Sequence, residues 1–311
     1  MNKRRFCSVM CCFVLCAASR AQAPADIAGV AQVIRENYFD SGRGKEIADE
    51  LLRRARKEKL DELADRNELA QRLTAILQPF DRHFRVKYEP PTAKGGNVDH
   101  LKRFMDKARA SNYGFRSVEE LPDDIVVIRL TTVAIIDFND ANDPARRAAD
   151  VALADALAAK AVILDLRDNG GGDTSMAGYL ISAFVKPGAN VYNSFHTRTE
   201  SFDERPAVEY PRPNPDVPLY LLTNNRTGSA AESIAFSLQS AGRAKVIGER
   251  TGGAANPGDV FNTPQGFSVF VSTGSPRNPI NGRNWEGTGV VPDVGTSSEA
   301  ALDRALQLAR E

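Results

Sequence analysis

The segment VPLYLLTNNRTGSAAESIAFSLQSAGRAKVIGERTGGA, Val217 to Ala254, decides the fold. "VPLYLLT" is a short apolar run that stops at a polar loop, and "AKVIGE" is a second one. Between them, from Ser229, apolar residues recur at helical spacing. The pattern continues upstream. "DIVVIRLTTVAII" (Asp124–Ile136) and "AVILDLR" (Ala161–Arg167) read as strands. "PARRAADVALADALAA" (Pro144–Ala159) reads as a helix, and a second helix runs from Thr174 to about Val185, after the loop "DNGGGD". Strands alternating with helices predict an α/β domain.

The rest of the chain is organised around that domain. From Ala25 to about Leu77, apolar residues three and four apart predict helices, and "YEPPTAKGGN" (Tyr88–Asn97) reads as a linker. The expected division is a helical N-terminal domain over 24–87, a linker over 88–111 and the α/β domain over 112–311. Pro206, Pro211, Pro213, Pro215 and Pro218 mark a long, stiff loop. The last residues, "SSEAALDRALQLARE", predict an amphipathic helix capped by Ser297 or Ser298.

Residues 1–23 have a different character. Lys3, Arg4 and Arg5 precede the apolar "FCSVMCCFVLCAA" and the small-residue pattern Ala21-Gln22-Ala23, which together predict a secretory signal peptide. The apolar run is too short to span a bilayer, which argues against the competing reading of a membrane anchor. The expected location is periplasmic or extracellular, with no membrane association after signal removal. Cys7, Cys11, Cys12 and Cys16, the only cysteines, all fall in this segment, so the mature chain has no disulfide, thiol nucleophile or sulfur ligand for zinc. Removal also takes away Lys3, Arg4, Arg5 and Arg20, four of 40 basic residues, and no acid, leaving 36 basic against 40 acidic. That balance argues against nucleic acid as a partner.

Ser229 has two readings. Ser229-Ala230-Ala231-Glu232 fits S-x-x-E, the capping box in which the serine caps the helix and the glutamate reaches back. The same strand-to-helix turn also exposes a serine hydroxyl beside helix N-terminal N–H groups, which suits a nucleophile and its oxyanion. The glycines of "DLRDNGGG" (Asp165–Gly172) let backbone approach a ligand. They lack the lysine and Ser/Thr ending of a phosphate loop. For a proton acceptor there are three histidines: His83 in "QPFDRHFRVKY", His100 just past the linker and His196 in a polar loop. Glu286, in "NWEGTGVVPDV", is a candidate acid whose bland reading is a solvated loop residue.

Taken in order, "FDRHFRVKY", "VILDLRDNGGG", "TGSAAESIAFSLQSAGRAKVIGERTGGA" and "NWEGTGVVPDV" resemble the C-terminal-processing and tricorn-type serine peptidases, from Phe80 to Val294. The resemblance implies a crotonase-like α/β spiral core. In the branch with a serine–lysine dyad, the lysine follows the "GE.T" segment; here Ala254 stands at that place. The chain instead resembles the branch of tricorn and the interphotoreceptor retinoid-binding protein repeats. That resemblance implies Ser229 as nucleophile, His83 as base and Glu286 as the acid that completes the set. It also implies an oxyanion hole from the N–H of Ala230 and of Gly170 or Gly171.

One position departs from the pattern. Arg82 stands where tricorn has a serine linking histidine to glutamate, and a guanidinium accepts no hydrogen bond. Arg82 can pair with Glu286 instead, and Asp81 is a substitute acceptor. The implied activity is hydrolysis of peptides or unstructured protein tails, with no cofactor and no metal. The alternative on the same fold is a non-catalytic ligand- or peptide-binding protein, and an esterase would use the same residues.

Overall fold

A computed structural model describes residues 10–89 and 97–311. Lys3, Arg4, Arg5 and Cys7 of the expected leader, and residues 90–96 of the expected linker, lie outside the described residues. In chain order the elements are α1 (Met10–Asn37), α2 (Ser41–Lys57), α3 (Arg66–Leu77), β1 (Arg85–Tyr88), α4 (Asn97–Ala110), β2 (Phe115–Leu121), β3 (Ile125–Leu130), α5 (Pro144–Ala156), β4 (Ala161–Asp165) and α6 (Thr174–Ser182). There follow β5 (Ser194–Thr197), β6 (Ser201–Asp203), β7 (Leu219–Thr223), α7 (Ala230–Ser240), β8 (Lys245–Gly248), β9 (Gly258–Asn262), β10 (Phe267–Ser272), β11 (Gly274–Arg277), β12 (Val294–Gly295) and α8 (Ala301–Arg310).

The chain divides into two compact units. The first joins the described part of Met1–Lys94 to Thr197–Thr199 and Pro257–Gly274. Two of its helices, α2 and α3, start at side-chain caps: Asp40 accepts from Arg43 N–H at 2.9 Å, and Asp65 from Asn67 N–H at 2.8 Å. Ile34, Leu51, Leu69 and Leu73 pack onto Val86, Phe267, Val269 and Val271. The last three are alternate residues of β10, the central strand of an antiparallel sheet of order β1-β10-β9. The first unit is therefore helices on a small sheet, where the sequence predicts helices alone. Its middle strand arrives from far down the chain, and local periodicity carries no information about such pairing. Within the expected linker, Asn97–Ala110 forms α4, and Ala108 is buried in the core of the second unit.

The second unit holds Gly95–His196, Glu200–Asn256 and Ser275–Glu311. Its six-stranded sheet has the order β12-β8-β7-β4-β3-β2, parallel except where β2 meets β3. Both faces are covered. Val126, Ile128 and Leu130 of β3 enter the large core with Val162, Leu164 and Leu221, whereas Ile125 and Val127 pack with Ile163 and Ala305 of α8. Burial on both sides explains why these strands read as unbroken apolar runs. This is the α/β architecture expected from the sequence.

Two boundaries differ from expectation. The strand at Asp124–Ile136 leaves the sheet after Leu130, and its remainder turns onto the glycine loop. There Val133 N–H donates to Gly171 O at 3.0 Å, and Asp173 N–H to Val133 O at 2.9 Å. The last helix begins at Ala301 after Ala300, with no side-chain cap bond. Ser297 Oγ accepts from Ala300 N–H at 3.4 Å, one residue before the helix, while Ser298 is committed elsewhere: its Oγ accepts from Asn224 at 3.3 Å and its carbonyl from Arg167 at 2.5 Å.

Candidate active site

Loops leaving the carboxyl ends of the adjacent parallel strands β4, β7 and β8 meet in the second unit, where open α/β sheets hold their ligands. They are laced together by polar groups, of which Asn169 and Thr227 are buried. Asn169 spans three segments: its Nδ2 donates to Leu130 O at 3.0 Å, its Oδ1 accepts from Gly171 N–H at 2.9 Å, and its carbonyl accepts from Gly228 N–H at 2.9 Å. Thr227 Oγ1 donates to Leu166 O at 2.9 Å, and Thr227 O accepts from Gly252 N–H at 2.9 Å. Asp168 is held by Asn224 Nδ2 at 2.7 Å and by Arg226 Nε at 2.7 Å. These two donors, Asn224 first, hold its carboxyl below the usual carboxylate range.

Ser229 stands at the turn from β7 into α7 with φ 51° and ψ −123°. A residue with a Cβ adopts that conformation only under constraint. Its backbone N–H donates to Glu232 Oε2 at 2.9 Å, which is the returning half of the capping box. Against it lies the glycine loop. A Cβ on Gly171 would meet Ser229 Cβ at 2.6 Å, Gly228 O at 2.7 Å and Ala230 N at 2.8 Å, so only glycine fits. Gly171 N–H is spent on Asn169. Among the described residues, the N–H groups of Gly170 and Ala230 have no hydrogen-bond partner. The structure thus brings together Ser229, Ala230, Gly170 and Gly171.

Glu286 follows the buried Trp285 in the turn before β12. Its Oε2 accepts from Ala255 N–H at 2.9 Å and Asn256 N–H at 3.0 Å, so it is not a solvated loop residue. Glu232 is fully buried, and its reach was not legible from the capping pattern. Besides Ser229 N–H, it accepts from Gly253 N–H at 2.6 Å, Ala254 N–H at 2.8 Å and the Thr251 hydroxyl. Burial raises its carboxyl above the ordinary value, and these donors oppose the rise.

His83 belongs to the first unit, in the turn between α3 and β1. Its backbone N–H donates to Asp81 Oδ1 at 2.9 Å, and Tyr38 OH donates to the other oxygen at 3.3 Å. Its ring lies 6.3 Å, centroid to centroid, from that of Phe270. His196 is on β5, its Nδ1 2.8 Å from Ser201 Oγ.

Behind α7 lies a second buried acid that sequence reasoning missed. Glu204 Oε2 accepts from Ser233 Oγ at 2.7 Å and Asn193 Nδ2 at 3.1 Å. Its other oxygen is buried without a partner. Burial pushes its carboxyl up to about 7. Glu204 sits in an ordinary polar stretch, and no pattern there signals it.

An α/β sheet presenting a conformationally forced serine, a glycine loop pressed against it and unspent N–H donors defines the class of serine hydrolase-like proteins. The family model described as Peptidase family S41 matches residues 125–296, more than half of the chain, and the chain belongs to that family. It is 31% identical over 131 residues to a carboxyl-terminal-processing protease of Picosynechococcus sp., a stretch covering 42% of this chain and 30% of that protein. Among solved structures it is similar to a putative peptidase from Parabacteroides merdae, with TM-score 0.63 and 18% identity over 94% of this chain and 96% of the other. It is also similar to a photosystem II D1 C-terminal processing protease, with TM-score 0.55 and 16% identity over 94% of this chain and 97% of that one. These structural likenesses carry the fold.

Proposed function

We propose that this chain is a serine peptidase cleaving peptide bonds in peptides or unstructured protein tails. The observation that carries the reading is Ser229, held at φ 51° between the glycine loop and the N-terminus of α7. Such a turn presents the hydroxyl outward, as a nucleophile elbow does. In this reading Ser229 Oγ attacks the carbonyl carbon and His83 takes its proton. His83 then returns the proton to the leaving amine as the C–N bond breaks, and water repeats the cycle on the acyl-enzyme. Glu286 completes the set as the acid that orients or charges the site.

The oxyanion is assigned to the N–H groups of Ala230 and Gly170. Ser229 N–H is taken by Glu232 and Gly171 N–H by Asn169, so neither is available. A free N–H at the first residue of a helix suits developing negative charge, because the helix dipole points the same way.

The basic start and short apolar core of residues 1–23 support export through a cleaved leader. Among the described residues, no helix is long and apolar enough to cross a membrane.

Incubation with a disordered protein, followed by mass spectrometry of the fragments, tests the activity. Fragments from the wild type and none from a folded Ser229→Ala variant are expected; equal fragmentation by both contradicts the reading. Amino-terminal sequencing of protein from an exporting host tests the leader, with a start between Ala18 and Ala25 expected.

A further inference from the structure

We propose that Glu232 is a positioning residue for both Ser229 and Glu286, acting through the four consecutive backbone amides of Gly253–Asn256. The proposal rests on the reading of Ser229 as the nucleophile.

The four amides divide between two carboxylates. Gly253 and Ala254 donate to Glu232 at 2.6 and 2.8 Å, and Ala255 and Asn256 donate to Glu286 at 2.9 and 3.0 Å. The four donors are consecutive in the chain and each is held by a hydrogen bond to one of the two carboxylates, so displacing the first pair pulls on the second. The Glu286 turn is fastened to the same segment from the other side. Gly287 N–H donates to Gly253 O at 2.9 Å, and Val290 N–H donates to Thr251 Oγ1 at 2.7 Å. Gly253 has φ 78°, and a Cβ there would lie 2.9 Å from Gly289 N, so no other residue fits between the turn and the carboxylate. The oxygen that accepts from Ala254 N–H, Oε2, also accepts from Ser229 N–H.

Capping alone does not account for this arrangement. A capping glutamate needs one bond, to the N–H of the residue that opens the helix. Glu232 makes three further contacts outside its own helix and has no cationic partner among the described residues. A buried carboxylate of that kind is expensive unless fully hydrogen-bonded. Here the charge is met by donors from two segments, which locks them to each other. The consequence is a continuous path from the serine backbone through Glu232 and Gly253 to the loop carrying Glu286.

The test is Glu232→Gln, which keeps shape but replaces one acceptor oxygen with a donor facing N–H or hydroxyl groups. A fluorophosphonate probe reports Ser229, and amide NMR spectra report Gly253–Asn256. With the fold retained by circular dichroism, the rate of labelling at saturating probe should fall about 100-fold, the scale of a misplaced reacting group. The half-saturating probe concentration should hold. The resonances of Ala255 and Asn256 should shift together with those of Gly253 and Ala254. Should that variant not fold, Glu232→Asp, which keeps the charge, draws the carboxylate back by one methylene from Gly253 and Ala254 and leaves the Thr251–Val290 bond in place, carries the same comparison with smaller shifts.

Labelling at the wild-type rate, or Ala255 and Asn256 resonances that stay in place while the other two move, overturns the proposal. A wild type that does not label at Ser229 defeats the nucleophile reading itself, and the amide shifts alone then uphold or overturn the coupling.

Discussion

Gly171 lies so close against Ser229 that a Cβ built on the glycine would come within 2.6 Å of the serine Cβ. Its φ of 99° independently disfavours any side chain. Gly171→Ala should therefore cost about 3 kcal/mol of stability and push Ser229 out of place. Gly170→Ala is the control, because a Cβ there meets nothing within 4 Å. It should change stability by about 0.5 kcal/mol or less. Denaturant midpoints of the two variants make the comparison.

The forced backbone of Ser229 leads to a second expectation. At φ 51° and ψ −123°, glycine is at ease and alanine is not. Ser229→Gly should be more stable than Ser229→Ala by about 1 kcal/mol, although both lose the hydroxyl. Equal thermal midpoints would show that the turn stores no strain.

Much of this was legible in the sequence because it is local. The apolar runs at Ala161–Asp165 and Leu219–Thr223 are strands, the serine opens a helix, and the glycines of the preceding loop lie where a close approach demands them. The pairing of β1 with β10 was not legible, since hydrogen bonds between distant segments leave no periodic trace. Thr131–Ile136 has strand-like composition but leaves the sheet to bond Gly171 and Asp173, an outcome set by tertiary contacts. Glu232 shows the same limit at the site. Its S-x-x-E context gave one hydrogen bond, and the other three come from residues about twenty positions away.

Glu204 sets a pH dependence. Its folded-state carboxyl, pushed up to about 7, lies above the ordinary 4.5, so the folded protein binds the proton more tightly than the unfolded chain. Its contribution to stability is fully present below about pH 4.5 and is lost as pH rises through about 7. The loss is on the order of 3 kcal/mol. Glu204→Gln, which stays neutral, should remove that slope. Thermal midpoints measured from pH 5 to 8 in both proteins decide it, and parallel curves contradict the assignment.

His83 and Arg82 separate a base from its neighbour. His83→Ala should lower turnover by several powers of ten, as loss of a triad base does. Arg82→Ser restores the hydroxyl of the tricorn pattern, and activity should hold or rise. A steep loss in Arg82→Ser would mean that the guanidinium is part of the working site.

The central claim is that Ser229 is a nucleophile activated by a histidine. The most direct measurement is covalent labelling by a fluorophosphonate, with the modified peptide identified by mass spectrometry. The probe's P=O takes the place of the carbonyl, and its adduct oxygen occupies the position offered by Ala230 and Gly170 N–H. The adduct should map to Ser229 and vanish in Ser229→Ala. Labelling should weaken as the solution is acidified far enough to protonate the histidine, because a protonated imidazole takes no further proton. Equal, slow labelling of the wild type and of a folded Ser229→Ala variant would contradict the claim and favour a binding protein on the same fold.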